Sequence, residues 1–113
     1  MTCLFCEIAQ GKISANIAWE DDTLVAFYDI RPQAPTHLLI IPKEHISTID
    51  EVKASHGALI GNMVLTANHL AKTLELSDKG YRLVFNVNQD GGQEVYHIHL
   101  HLLGGRPMKW PPG

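Results

Sequence analysis

A chain of 113 residues, 45% apolar and 19% charged, has room for one hydrophobic core, so a single domain over residues 1–113 is expected. Its net charge of −3 and scattered Lys and Arg leave no basic footprint for nucleic acid, so an anionic ligand must be met by local devices such as main-chain N–H groups or histidine. No apolar run is long enough to span a membrane, residues 1–7 lack the pattern of a secretory leader, and two cysteines are few for a secreted scaffold; a cytoplasmic location is expected.

Residues 4–10 have room for two turns of helix, ended by Gly11. Residues 17–20 and 23–28 read as strands joined by a turn at Asp21 and Asp22, and the two prolines of residues 31–35 require a loop. Residues 36–41 follow as an apolar strand closed by Pro42. Ile60, Met63, Ala67, Leu70 and Leu74 recur at steps of three and four, which marks the apolar stripe of one long helix; Ser77, Asp78 and Gly80 are the expected stop. His56 and His69 read as helix-surface residues. Residues 81–88 and 95–102 are two further strands around a turn at 89–93, the second broken by Gly104 and Gly105. The order predicts an α+β fold: an antiparallel sheet of about five strands, one long helix and a short N-terminal helix.

The chemistry concentrates in His97, His99 and His101. On a strand these three share one face, roughly 6.5–7 Å apart and out of mutual contact, while Ile98, Leu100 and Leu102 face the core. Such a row suits either metal ligation or nucleophilic and acid–base catalysis, because imidazole titrates near neutrality. The Gly91–Gly92 pair before it is placed to offer N–H groups to an anion, as a backbone nest does. That favours phosphorus or acyl chemistry. Histidines merely in solvent are the weaker alternative.

The stretch from Gly91 to Arg106 resembles the signature of the histidine triad (HIT) family, Hint branch. Residues 27–37, with Ile40–Ile41–Pro42–Lys43 after them, and the ending Trp110–Pro111–Pro112–Gly113 are similar as well, so the likeness covers nearly the whole chain. The resemblance implies a HIT-like fold whose sheet continues across a homodimer, with Trp110 reaching toward the partner's site. It implies hydrolysis of the P–N bond of purine nucleoside 5′-phosphoramidates, with no cofactor required for the chemistry. His99 matches the nucleophile, which would form a nucleotidyl-histidine. His101 matches a phosphate contact and proton donor, the donor form being the imidazolium, and His37 an orienting group.

On the same resemblance Asp29 holds the ribose hydroxyls, with a turn-forming Asp as its alternative. Phe5, Phe27 and Ile30, with Ile8 and Ile13, surround the purine, although each also suits a core. Asn86 and Gly92 lie near the phosphate, Asn86 alternatively satisfying a loop. Glu94 replaces the Ser of the best-known animal members, a bacterial-type departure. An ionised carboxylate repels phosphate, so Glu94 either turns away and leaves its N–H to serve, or meets a cationic leaving group.

Cys3-x-x-Cys6 alone is weak evidence for a metal. Some microbial HIT proteins complete such a zinc site with a Pro-Lys-x-His histidine and the first His of the row, here His45 and His97. The alternative is two small buried apolar residues. Beside the phosphoramidase stand two other readings, a dinucleoside polyphosphate hydrolase and a nucleotide-binding regulatory protein with incidental hydrolysis.

Overall fold

The computed structural model describes residues 3–113; Met1 and Thr2, which open the segment read for a leader, lie outside them. Helix α1 (Leu4–Ala9) is capped by the Cys3 Sγ, which accepts from the Cys6 N–H at 3.4 Å. Strands β1 (Ile17–Glu20) and β2 (Leu24–Tyr28) form a hairpin whose turn is closed by Asp21, one carboxylate oxygen accepting the N–H groups of Thr23 and Leu24, each at 2.8 Å. Strand β3 (Thr36–Pro42) follows the proline loop, and two 3₁₀ turns lead into α2 (Gly57–Thr73). Strands β4 (Tyr81–Val84) and β5 (Leu100–Gly104) complete an antiparallel sheet of order β1-β2-β3-β5-β4. This is the expected α+β arrangement. Among the described residues no helix is long and apolar enough to cross a membrane.

The sheet separates two apolar layers. Leu24, Leu38, Ile40, Leu100 and Leu102 pack on Met63, Ala67, Leu70 and Ala71 of α2. On the opposite face Val25, Phe27, Leu39 and Ile41 pack on Phe5 of α1. The face divides by strand alternation, and the histidine row falls on the α1 side.

Three boundaries differ from the sequence reading. Helix α2 stops at Thr73, before Ser77, because Glu75 takes a left-handed conformation (φ 61°) and Leu76 N–H turns back to Ala71 O at 2.8 Å. Strand β4 ends at Val84 rather than at residue 88. Strand β5 begins at Leu100 rather than at 95, so His97 and His99 lie ahead of the ladder. Pro42, which has no N–H, ends β3 where those residues would pair. The freed segment bonds to the loop instead: Ile98 N–H donates to Ile46 O at 2.8 Å, and the buried Gln93 amide donates to Ser47 O at 2.7 Å. Gly104 does not break β5 but closes it, pairing with Thr36 and Tyr81. A β-carbon there would come within 2.7 Å of Leu76 Cδ1, so glycine is what lets the strand run under that side chain. His69 is exposed beside Trp19, and His56 sits in the second 3₁₀ turn facing Glu44 at 3.5 Å.

Candidate active site

The histidine row keeps its alternation outside the ladder. Ile98, Leu100 and Leu102 enter the α2 layer, while His97 and His99 meet Phe5 edge-on, with ring centroids 6.0 and 5.1 Å away. The rings do not stand apart as strand spacing suggested. His99 and His101 touch in a T-shaped pair at 5.0 Å, because their rings tilt toward each other from different backbone settings.

Each ring is fixed by what its outer nitrogen meets. His99 Nδ1–H donates to the His97 carbonyl at 2.8 Å, which leaves the Nε2 lone pair free. A free Nε2 is what a nucleophile needs. Burial holds His99 below the usual imidazole range, opposed by the His97 carbonyl and by the charges of Asp29 and Glu94. Neutral imidazole is therefore its resting form at pH 7.

His37 and His101 form a relay. The Gln33 main-chain N–H donates to His37 Nδ1 at 3.1 Å, so the His37 proton resides on Nε2. That Nε2–H donates to His101 Nδ1 at 2.8 Å. His101 consequently carries its own proton on Nε2, across the ring from His37. Burial, with His99 and His37 adding to it, pushes His101 down to about 4. In the ligand-free protein it is a neutral donor at pH 7, not the imidazolium that the sequence reading supposed.

Asp29 takes the turn-forming role raised for it and also faces His37. One oxygen accepts the Arg31 N–H at 2.8 Å, closing the turn after β2, and the other lies 3.5 Å from His37 Nε2. Phe5 and Phe27 are buried against each other at 5.5 Å, whereas Ile30 is 93% exposed and belongs to no core. Ile8 is half-buried on the Phe5 layer and Ile13 is exposed.

The Gly92 half of the expected nest is not open. Gly92 N–H donates to Gln89 O and Gln93 N–H to Asn88 O, each at 3.0 Å, so both are consumed within the turn. Asn86 donates to Gly91 O at 2.7 Å, its loop-satisfying role. Glu94 is exposed and, among the described residues, has no ion pair.

Cys3, Cys6, His45 and His97 converge on the other side of Phe5, with one ligand atom from each within 4.8 Å of the rest. His97 Nδ1 lies 3.4 and 3.5 Å from the two sulfurs and 3.2 Å from His45 Nδ1, which is 3.3 Å from Cys6 Sγ. A tetrahedral zinc with bonds of about 2.0–2.3 Å has edges of roughly 3.3–3.8 Å, so the donor set fits the ion. The outer nitrogen agrees: fully buried His97 donates Nε2–H to Pro42 O at 2.8 Å, presenting a lone pair at Nδ1. Without a cation, burial and the neighbouring Cys3 push the Cys6 thiol up.

Three contributors carried no signal in the sequence: the Gln33 N–H, the Pro42 carbonyl, and Gln93, which was read only as part of a turn. The first two are main-chain atoms. Gln93 is recognisable by its burial, which follows from contacts distant in sequence.

A glycine-flanked histidine row leading into an antiparallel sheet, one imidazole with a free Nε2 beside a histidine relay and a carboxylate, defines a site for histidine-based nucleophilic and acid–base chemistry. The HIT domain model matches residues 10–108, and the chain belongs to that family. It is 49% identical over 105 residues to the purine nucleoside phosphoramidase of Escherichia coli K12, covering 93% of this chain and 88% of that one. A HIT family hydrolase from Legionella pneumophila Philadelphia 1 superposes with a TM-score of 0.98 at 63% identity, over 99% of this chain and all of that one. A zinc-bound histidine triad family protein from Mycobacterium smegmatis superposes at 0.80 with 30% identity, over 94% and 76% of the two chains.

Proposed function

We propose that the protein is a purine nucleoside phosphoramidase, a single HIT domain over residues 1–113 that cleaves the P–N bond of adenosine or guanosine 5′-phosphoramidates through His99. The observation that carries this is the fixed His99 tautomer, Nδ1–H on the His97 carbonyl and Nε2 free beside His101. Similarity to the E. coli phosphoramidase supports the substrate class.

The purine lies near Phe5, Phe27 and the exposed Ile30, and Asp29 accepts from the ribose with its turn-free oxygen. The phosphate meets His101 Nε2–H and the Glu94 N–H, the amide that follows the two consumed in the turn; Asn86 and Gly92 set that turn. A bound anion beside His101 favours a second proton on the His37–His101 pair: it enters with the substrate at His37 Nδ1 as the Gln33 bond is given up, and the Nε2 proton of His37 passes to His101 Nδ1. His99 Nε2 forms a bond to phosphorus as the P–N bond breaks, and the His101 proton goes to the departing nitrogen. Neutral His101 then takes a proton from water as its oxygen bonds phosphorus. The nucleotide leaves, His99 is free, and protonated His101 starts the next cycle. His37 orients His101, while His97 acts through its carbonyl rather than its ring.

Zinc held by Cys3, Cys6, His45 and His97 would supply a cross-link of α1 to the loop after β3 and neutralise two thiolates, taking no part in the bond changes. The β4 strand is an outer edge of the sheet, and exposed Leu65 lies on α2. These support a homodimer with the sheet continued through β4 and Trp110, 83% exposed, directed to the partner. Sedimentation as a monomer at micromolar concentration would count against it.

The decisive experiment is His99→Gly assayed on an adenosine phosphoramidate and on a dinucleoside polyphosphate. The P–N substrate is the better one for the unaltered protein, and the variant loses at least about 1,000-fold in kcat. Undiminished turnover by the variant refutes the covalent assignment, and preference for the P–O–P substrate refutes the reaction class.

A further inference from the structure

We infer that the Cys3–Cys6–His45–His97 cluster is a positioning site for the nucleophile, so that metal occupancy sets the orientation of His99 and with it the rate of attack on phosphorus. The rate part rests on the function proposed above; the positional part stands without it.

Two contacts join the cluster to His99. The first is the main chain. His99 is oriented by the carbonyl of His97, whose ring is held at Nε2 by Pro42 O and at Nδ1 by the cluster. With zinc present both ends of that buried ring are tied and the carbonyl is fixed. With the ion removed, the Pro42 bond remains at one end and only the weak contacts of Nδ1 with the Cys3 and Cys6 sulfurs at the other. The second contact is Phe5, which lies between the two cysteines and packs edge-on against His99 at 5.1 Å. A helix of six residues has no stability of its own, so α1 stays in place through Phe5 and through the cysteine anchors at its start. Both contacts converge on one imidazole. A site serving stability alone could lie anywhere on α1; this one shares a residue with the hydrogen bond that fixes the nucleophile.

Loading balances as two thiols and one Zn²⁺ giving a zinc dithiolate and two protons, with His45 and His97 binding as neutral donors. Because attack geometry is sensitive to displacements of about 1 Å, loss of the tie is expected to act on kcat rather than on substrate affinity.

The test uses the full chain labelled with ¹⁵N-histidine, kept reduced, and compared zinc-loaded and stripped by a chelator. Metal content, the ring ¹⁵N–¹H spectrum of His99, and kcat and KM on an adenosine phosphoramidate are measured together. Loaded protein should show one zinc per chain and a single His99 tautomer protonated at Nδ1. Stripped protein should show averaged His99 ring signals and a kcat about tenfold lower, with KM within about twofold. Zinc added back should restore both. Cys3→Ser keeps the helix cap but not the thiolate, and His45→Gln alters an exposed ligand away from the core; both should resemble the stripped state. A stripped protein that keeps the loaded His99 spectrum overturns the inference, as does failure to bind zinc. If His99 responds to zinc while no phosphoramidate is turned over, the positional inference holds and the proposed function fails.

Discussion

Two clusters hold the histidines on either side of His99 in the row, and they are built for different chemistry. Cys3, Cys6, His45 and His97 form one; Asp29, His37 and His101 form the other, and in each the potential ligand atoms lie within 4.8 Å of one another. Beyond the two thiols of the first, the difference lies in the outer nitrogen of one imidazole. His97 donates outward to a carbonyl, so its inner nitrogen presents a lone pair to a cation. His37 accepts outward from an N–H, so its inner nitrogen must hold a proton, and that proton occupies the 2.8 Å gap to His101. Placing a metal there would require an imidazolate or loss of the Gln33 bond. Main-chain polarity thus reinforces what two thiols against one carboxylate begin, a metal site on one side and a proton relay on the other.

The strongest way to break this comparison is at the relay's end. His101→Gln should lower kcat on an adenosine phosphoramidate by about 100- to 10,000-fold while leaving bound zinc at one per chain by atomic absorption. Zinc loss in that variant would mean the clusters are not separable. The converse change, Cys6→Ser, should abolish tight zinc binding, lower the melting temperature by about 5 °C, and leave the His37–His101 proton visible as a downfield resonance. Zinc titration of the unaltered protein should saturate at one equivalent at micromolar concentration. A second tight equivalent displaced by AMP would show the relay to be a metal site.

Acid should separate the clusters further. His101 and His37 are held below their unfolded value of 6.5, His101 at about 4, chiefly by burial. The unfolded chain then binds more protons in this window, so their stabilising contribution is complete above 6.5 and is lost as pH falls toward 4. Calorimetry from pH 7.5 to 4.5 should show this decline, and His101→Gln should flatten it. The smallest effect is expected for Glu94→Gln, which removes an exposed charge beside His99. KM for a lysine-like amine relative to a neutral amine should rise by about threefold, and no change would place Glu94 outside leaving-group recognition.

Much of this was legible in residue type and spacing. Strands β1 to β3 followed from apolar runs and turn chemistry, α2 from its stripe, and the shared face of the histidines from their alternation. What could not be read depended on groups without sequence identity or on distant contacts. The early end of β4 and late start of β5 follow from Pro42 in another strand and from the reach of Gln93. The stop at Glu75 required a non-glycine residue in a left-handed turn, which composition disfavours. The glycine pair was recognised as a turn, but consumption of the Gly92 N–H depended on the conformation of the turn. The direction of every proton in the site is set by carbonyls and amides that any residue carries.

A site whose protons are directed by main-chain groups is inherited differently from one directed by side chains. The Gln33 donor is main chain, so its own position can drift through any side chain except proline without reversing the relay. Selection on the proton's direction then acts not on residue 33 but on the loop path that presents its N–H. Among relatives, variation at 33 should be free while His37 and His101 change only together, and proline at 33 should be found only where that pair has been lost.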